Sequence, residues 1–346
     1  MSRPCNVLIL GASYGSLLAT KLAAAGHNAT LVCLPATAEL INREGTRVRM
    51  PVKGSAPVEI ASRSLPGCVA ASAPGAADPA AYDLVVLAMQ EPQYGASGVR
   101  ELLDRTAHAK APCLSLMNMP PLPYVRRLPG LPADLLRGCY TDATVWQGFE
   151  PGAMTLCSPD PQAIRPAGEA KNVLEVKLPT NFKAARFAAD EHTALLRRLE
   201  ADIEAVDLPV KLKVYDSLFV PLAKWAMLLA GNYRCITRDG LRSIRDAVHG
   251  EPERSRAVYE WVQGLCVALG ADARDLVPFE KYAAAATGLA APSSAARAIA
   301  AGAAYVERVD KLVQRIGAQR GMRNPEVDEI VALIDERLAA NRQAAA

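Results

Sequence analysis

The stretch that decides the fold runs from Asn6 to Cys33. It reads Asn6-Val-Leu-Ile-Leu10, then Gly11-Ala-Ser-Tyr-Gly15, then Ser16-Leu-Leu-Ala-Thr-Lys-Leu-Ala-Ala-Ala25 closed by Gly26, and last Ala29-Thr-Leu-Val-Cys33. Strand, glycine turn, helix, glycine stop and strand within about thirty residues form the front half of a dinucleotide-binding βαβ unit. Glycines let the backbone turn sharply and approach a pyrophosphate, while the free amides and dipole of the helix start favour the anion. The turn is irregular. Its glycines are four apart with Ser13 between them, one residue short of G-x-G-x-x-G. The same five residues fit G-x-S-x-G, the nucleophile elbow of α/β-hydrolases. An elbow normally follows several earlier strands and an oxyanion signature such as His-Gly-Gly, and the sequence has neither. The dinucleotide reading is preferred.

Outward from this unit, apolar and helix-like runs alternate. Glu39 to Glu44 reads as helix, Thr46 to Met50 as extended, and Pro51 to Ala81 as a Pro, Gly, Ser and Ala-rich connection. Asp83-Leu-Val-Val-Leu-Ala-Met89 and Pro112-Cys-Leu-Ser-Leu-Met-Asn118 are continuous apolar runs, as expected of parallel strands buried on both faces. Gly95 to His108 reads as the helix between them, and Cys139 to Trp146 and Asn172 to Lys177 as further extended pieces. From about Asp190 the pattern turns helical and stays so to the end. The expected architecture is α/β: a Rossmann-type doubly wound sheet over residues 1–185, then an all-helical domain over 186–346 for substrate binding and dimerisation. A substrate cleft between the two domains is expected.

Composition narrows the function classes. With 346 residues, 51% of them hydrophobic and 22% charged, the chain can build two cores. A net charge of +3 from scattered residues leaves no nucleic-acid footprint. The eight cysteines form no C-x-x-C pair and no metal spacing with the four histidines, so no metal site is expected. Reduced thiols and a first strand close to the N-terminus point to a cytoplasmic protein without a membrane anchor.

Lys224 stands out chemically. It lies inside Phe219-Val-Pro-Leu-Ala-Lys-Trp-Ala-Met-Leu-Leu-Ala230, where a solvated lysine has little reason to be. On an α-helix Lys224, Leu228 and Asn232 share one face, with the ends of the row about 12 Å apart. An ammonium near a ketone stabilises the alkoxide that forms as hydride arrives, then donates its proton. A snorkelling lysine whose stem covers apolar surface fits the same pattern. Asn118 ends a buried strand at the carboxyl edge of the sheet, where an amide can bond a ribose, a carboxamide or a carboxylate, or simply start a turn. Ser293, after Pro292, reads as a helix N-cap or a carboxylate ligand. The end of the second strand, Cys33-Leu34-Pro35, carries neither the acid of an NAD site nor an arginine. Arg43, Arg47 and Arg49 follow closely, which favours NADP over NAD unless they are a solvated face.

With these residues in view, the chain resembles the ketopantoate reductase (2-dehydropantoate 2-reductase) family along almost its whole length. The resemblance rests on Gly15-Ser-Leu-Leu-Ala through Leu22-Ala-Ala-Ala-Gly26-His27, Asp83-Leu-Val-Val-Leu-Ala, and Leu114-Ser-Leu-Met-Asn118. Later come Lys224 with Asn232 eight residues on, Pro292-Ser293 with Gly302, and Gly321-Met-Arg-Asn-Pro325. It implies hydride transfer from NADPH to a 2-oxo acid by a homodimer. Lys224 would be the proton donor, Asn118 a contact to cofactor and substrate, and Asn232 and Ser293 substrate ligands. Gly11, Ala12, Ser13, Tyr14, Gly15, Leu34, Met89 and Gln90 take the cofactor-binding positions. Several of these depart from the family: Leu34 replaces an arginine, Gln90 a lysine, Leu228 an asparagine, and Tyr305 a substrate-binding glutamate. Losing those polar partners implies a bulkier or less polar substrate than ketopantoate. A nucleotide-binding regulator without catalysis and an opine-type dehydrogenase acting on an imine are the alternatives.

Overall fold

Runs of Val, Leu and Ile unbroken by polar residues become strands covered on both faces, and the sheet is built from them. The computed structural model describes residues 3–52, 54 and 56–345. The chain forms two units, one of residues up to Arg127 with Thr144–Asp216, the other of Leu128–Ala143 with Ser217 onward. In the first, strands β1 (Asn6–Leu10), β2 (Asn28–Val32), β3 (Arg47–Met50), β4 (Val58–Ala61), β5 (Val69–Ser72), β6 (Leu84–Leu87) and β7 (Cys113–Leu116) are followed by β8 (Met154–Ser158), β9 (Gln162–Ile164), β10 (Val173–Leu178), β11 (Phe182–Ala185) and β12 (Leu212–Tyr215). The helices between them are α1 (Gly15–Ala24), α2 (Pro35–Glu44), α3 (Val99–His108), α4 (Leu122–Val125) and α5 (Asp190–Glu204).

Eight strands form one sheet in the order β12-β11-β8-β7-β6-β1-β2-β5, parallel except for the antiparallel β8–β11 pair. From β5 to β8 this is the doubly wound order 3-2-1-4-5-6, with its reversal point between β1 and β6. The remaining four strands make a second sheet, β4-β3-β10-β9, in which β3 and β10 are parallel. Val7, Ile9, Leu31, Leu84, Val86 and Leu114 are buried in the core with Leu17 and Leu22 of α1. Helix α1 is buried on nearly every side, Lys21 included. Its ammonium donates to the carbonyls of Leu208 and Pro209 at 3.1 and 3.0 Å. Burial, helped by the Lys211 charge, pulls its pKa down to about 8.

Three sequence expectations change. The unit boundary falls after Asp216 rather than between 185 and 186, because α5 is a crossover that returns the chain to the sheet. Phe182 pairs with Leu212 and Ala185 with Tyr215, while Leu196, Leu199 and Ile203 of α5 join the sheet's core. The Pro51–Ala81 connection contains β4 and the edge strand β5, which Asn42 secures by bonding both the amide and the carbonyl of Ala71 at 2.8 Å. Cys139 to Trp146 is not extended. It ends one 3-10 helix (Ala133–Cys139) and contains another (Ala143–Trp146).

The second unit is helical apart from a two-residue ladder of β13 (Ile236–Thr237) and β14 (Gly240–Leu241). Its helices are α6 (Lys224–Met227), α7 (Ile244–His249), α8 (Pro252–Ala268), α9 (Phe279–Ala286), α10 (Ser294–Ala300), α11 (Val309–Gln319) and α12 (Pro325–Ala345). Pro252 and Pro325 open their helices at the position where a missing amide costs nothing. Trp225, Leu229, Tyr259, Val262, Leu312, Ile316 and Ile334 are buried in this unit. Leu128–Ala143 belongs here by its own bonds. Arg320 donates to the carbonyls of Pro129 and Gly130, both at 3.0 Å. No helix among the described residues is long and apolar enough to cross a membrane.

Candidate active site

The first unit presents a glycine turn at the carboxyl ends of β1 and β6. Gly11 has φ +111°, and its amide donates to the Val32 carbonyl at 2.9 Å. A Cβ at Gly11 would stand 2.6 Å from the Ala88 carbonyl oxygen and 2.7 Å from Met89 Cγ, so only glycine fits. A Cβ at Gly15 would stand 2.7 Å from Ile9 Cγ2, so α1 packs directly on β1 there. The short spacing therefore still serves two glycine roles, close backbone approach and close helix packing. Ala12 is buried and Ser13 exposed. The Tyr14 ring folds back edge-on to Phe182, centroids 6.0 Å apart, and its hydroxyl donates to the Pro161 carbonyl. No side chain of the turn is forced over its mouth. An anion at the start of ten-residue α1 meets backbone and a small hydroxyl, which fits a pyrophosphate.

The other cofactor-binding candidates flank this turn. Met89 lies against Gly11, and its amide donates to the Tyr94 hydroxyl at 3.0 Å. Gln90 is exposed and opens a 3-10 turn, its amide bonded to Gln93 Oε1 at 3.0 Å. Leu34, at 76% exposure, opens α2 just past the end of β2. The three nearby arginines are committed elsewhere. Arg43 pairs with Glu44 at 2.9 Å, Arg47 lies 3.9 Å from Glu59, and Arg49 bonds Glu59 at 2.7 Å and Glu169 at 2.6 and 2.8 Å. They are the solvated face. Half-buried Asn118 follows β7 by two residues, at the same carboxyl edge as Gly11 and Met89.

In the second unit Lys224 begins α6, half-buried between the buried Ala223 and Trp225. The expected α-helical row from Lys224 to Asn232 is not formed. Helix α6 is one turn long, and Leu228–Asn232 is a π turn in which the Tyr233 amide bonds the Leu228 carbonyl five residues back. Such turns widen the helix locally and recur at functional sites. The cause lies in Gly231 and Tyr282. The Tyr282 hydroxyl sits where a Gly231 Cβ would be and donates to the Met227 carbonyl at 3.1 Å. Gly231→Ala is expected to overlap that hydroxyl and cost about 1–3 kcal/mol by overpacking. A lowered denaturation midpoint checks it, and an unchanged one would remove Tyr282 as the cause of the π turn.

The π turn leaves Leu228 buried at 4% exposure and Asn232 half-buried. Ser293 caps α10, accepting from the Ala296 amide at 3.2 Å, and donates to the Asn232 carbonyl at 2.7 Å. Two proposed substrate ligands are thus joined, with the serine hydroxyl already in use as a cap. Tyr305 is 54% exposed and lies under Arg342, whose guanidinium is 5.8 Å from the ring centroid. Burial pushes the nearby Cys235 thiol up, against the opposing bonds of Ser293. Among the described residues no cluster of three His, Cys, Asp or Glu side chains could hold a metal ion.

A Rossmann-type sheet with a glycine turn at its reversal point, followed by a helical unit, is the class of architecture defined here. No model of a protein family matches the chain, and neither does any curated protein. Solved structures share its fold along nearly the whole chain. A 2-dehydropantoate 2-reductase from Methylococcus capsulatus superposes with a TM-score of 0.69 at 15% identity, covering 97% of each chain. A D-mandelate dehydrogenase in ternary complex with NADH and anilino(oxo)acetate gives 0.64 at 12% identity, covering 97% of this chain and 99% of that one. A ketopantoate reductase from Staphylococcus aureus described as dimeric gives 0.61 at 11% identity, with the same coverage. At such identities the likeness is one of fold, the fold that the sequence resemblance implied.

Proposed function

We propose that this chain is an NAD(P)H-dependent oxidoreductase of the ketopantoate reductase type, acting on a 2-oxo acid or related carbonyl other than ketopantoate. The observation that carries the reading is Lys224, a half-buried lysine in an apolar run that leads into a π turn. A nicotinamide dinucleotide held at the glycine turn would supply the hydride for the carbonyl carbon. Ala12, Ser13 and Gly15 would hold the pyrophosphate through backbone amides, Gly11 would leave room for its approach, and Met89 and Gln90 would flank it. Asn118 orients the nicotinamide end or the substrate through its amide. Lys224 holds the carbonyl oxygen by an ammonium hydrogen bond that strengthens as charge develops, then passes one proton to that oxygen. The product is the hydroxy acid. Asn232 and Ser293 bind the remote part of the substrate, and a homodimer belongs to the same proposal.

The substrate class follows from what Leu228 and Tyr305 offer. A buried leucine supplies no hydrogen-bond partner, and an exposed tyrosine supplies a neutral phenol in place of a carboxylate acceptor. A site without those partners loses its discrimination for the hydroxyl. The complex of a dehydrogenase of this fold with anilino(oxo)acetate supports a bulkier, less polar 2-oxo compound.

Nicotinamide absorbance, followed with ketopantoate and with a series of branched and aromatic 2-oxo acids, tests this. Turnover is expected with the bulkier acids, at a kcat/KM for ketopantoate lower by about tenfold or more. Nucleotide binding without turnover of any carbonyl would sink the oxidoreductase reading in favour of a regulatory role. Turnover only when an amine is added would assign an imine-reducing dehydrogenase instead.

A further inference from the structure

Side chains, in place of an unbroken helix ladder, hold the segment that follows Lys224. The Met227 carbonyl accepts from the Tyr282 hydroxyl at 3.1 Å, Ala230 from Arg234 Nη1 at 3.4 Å, Gly231 from the Cys235 thiol at 3.4 Å, and Asn232 from the Ser293 hydroxyl at 2.7 Å. Of these, the Tyr282 bond decides the winding. On an α-helical ladder the Met227 carbonyl would accept from the Gly231 amide, four residues on. The Tyr282 hydroxyl stands where a Gly231 Cβ would be and takes that carbonyl instead. A side chain inserted into the ladder in this way breaks it locally.

The ring that carries the hydroxyl is itself fixed. Tyr282 is buried and stacks on Tyr259 of α8, with centroids 5.4 Å and planes 17° apart. Tyr259 in turn donates to the Val277 carbonyl at 2.7 Å. Burial raises the Tyr282 phenol well above its usual range, so its hydroxyl stays a donor.

The winding sets an angle. At about 100° per residue, positions eight apart on an α-helix stand about 80° apart around its axis. A turn widened by one residue makes them equivalent to positions seven apart, about 20° from one another. Lys224 and Asn232 are eight apart with the π turn between them. Asn232 is half-buried, and among the described residues its side-chain amide has no partner.

We propose that Tyr282 is a positioning residue: by holding the π turn it sets Asn232 on the Lys224 face, so that ammonium and amide reach one substrate. The inference rests on the reading of Lys224 and Asn232 as substrate contacts, and its test separates the two.

Tyr282→Phe keeps the stacked ring and removes the hydroxyl. Tyr259→Phe removes a hydroxyl of the same stack that bonds Val277 and not the π turn. Crystal structures read the winding without substrate. The Tyr233 amide is expected to stay on the Leu228 carbonyl in Tyr259→Phe and to move to Leu229 in Tyr282→Phe. With a turned-over oxo acid, Tyr282→Phe is expected to raise KM about tenfold, the worth of one hydrogen bond, and to keep kcat within about threefold because Lys224 precedes the turn. Asn232→Ala should raise KM as far, and the double variant no further than either alone, since one residue acts through the other. A purely structural tyrosine would lower the melting temperature in both phenylalanine variants and leave KM in place. An unmoved Tyr233 bond, an unchanged KM, or effects that multiply in the double variant overturns the positioning role and leaves the oxidoreductase reading standing. Turnover of no oxo acid by the unsubstituted chain overturns that reading and the positioning role with it.

Discussion

Lys224→Ala is expected to lower kcat by about 10²–10⁴-fold, the range typical of a positioned general acid, with nucleotide affinity changed by less than about twofold. The expectation combines a rate effect with the absence of a binding effect. Lys224 belongs to the helical unit and the glycine turn to the nucleotide unit, so removing the ammonium leaves Gly11 and its neighbours as they are. Steady-state kinetics with a turned-over oxo acid, beside nucleotide titration, give both readings. A merely structural lysine would lower the melting temperature without a selective loss of kcat. An alanine variant with full activity would end the assignment.

Gly11→Ala has the next largest expected effect, on binding. The added methyl would stand 2.6 Å from the Ala88 carbonyl oxygen in a backbone at φ +111°, so both space and conformation resist it. A strained backbone of this kind costs about 1–3 kcal/mol. The turn is expected to relieve the clash by shifting, which moves the amides that would hold the pyrophosphate. A displacement of about 1 Å can cost about 10²-fold, so nucleotide affinity should fall at least that far. The melting temperature should fall by about 5 °C. Calorimetric titration and thermal unfolding check the two together. Retained affinity would show that the nucleotide, if bound, is held elsewhere in the unit.

The first βαβ unit was legible because it is local. A strand, a turn, a helix and a strand that touch one another within about thirty residues leave their periods and their glycines in consecutive sequence. The continuous apolar runs at Leu84–Leu87 and Cys113–Leu116 were legible for a related reason, since a strand buried on both faces cannot afford polar residues. Strand β5 leaves little trace in the sequence because it is a four-residue edge strand, Val69–Ser72, inside a Pro- and Gly-rich stretch, and only pairing with β2 makes it a strand. Helix α5 has a clear helical pattern in the sequence, but that pattern does not say which unit it joins. A crossover helix and a bundle helix have the same period, and only the pairing of β11 with β12 tells them apart.

Lys224 itself was conspicuous in the sequence, as a charge in an apolar run. The geometry around it was not. An α-helical face through Lys224, Leu228 and Asn232 assumed a bond register that the Tyr282 hydroxyl, fifty residues further along, replaces with a π turn. Ser293 carried both of its candidate roles into the structure, where its hydroxyl caps α10 and holds the Asn232 carbonyl. The residues of this chain by themselves determined that a glycine turn follows a buried strand, that parallel strands alternate with helices, and that a lysine sits where apolar side chains are the rule. Those properties depend on neighbours a few positions away. Tertiary structure alone decided where the nucleotide unit ends, how the helix after Lys224 is wound, and that the Tyr14 hydroxyl meets the Pro161 carbonyl. Each of those depends on contacts between segments remote in sequence, whose pairing leaves no periodic trace in either one.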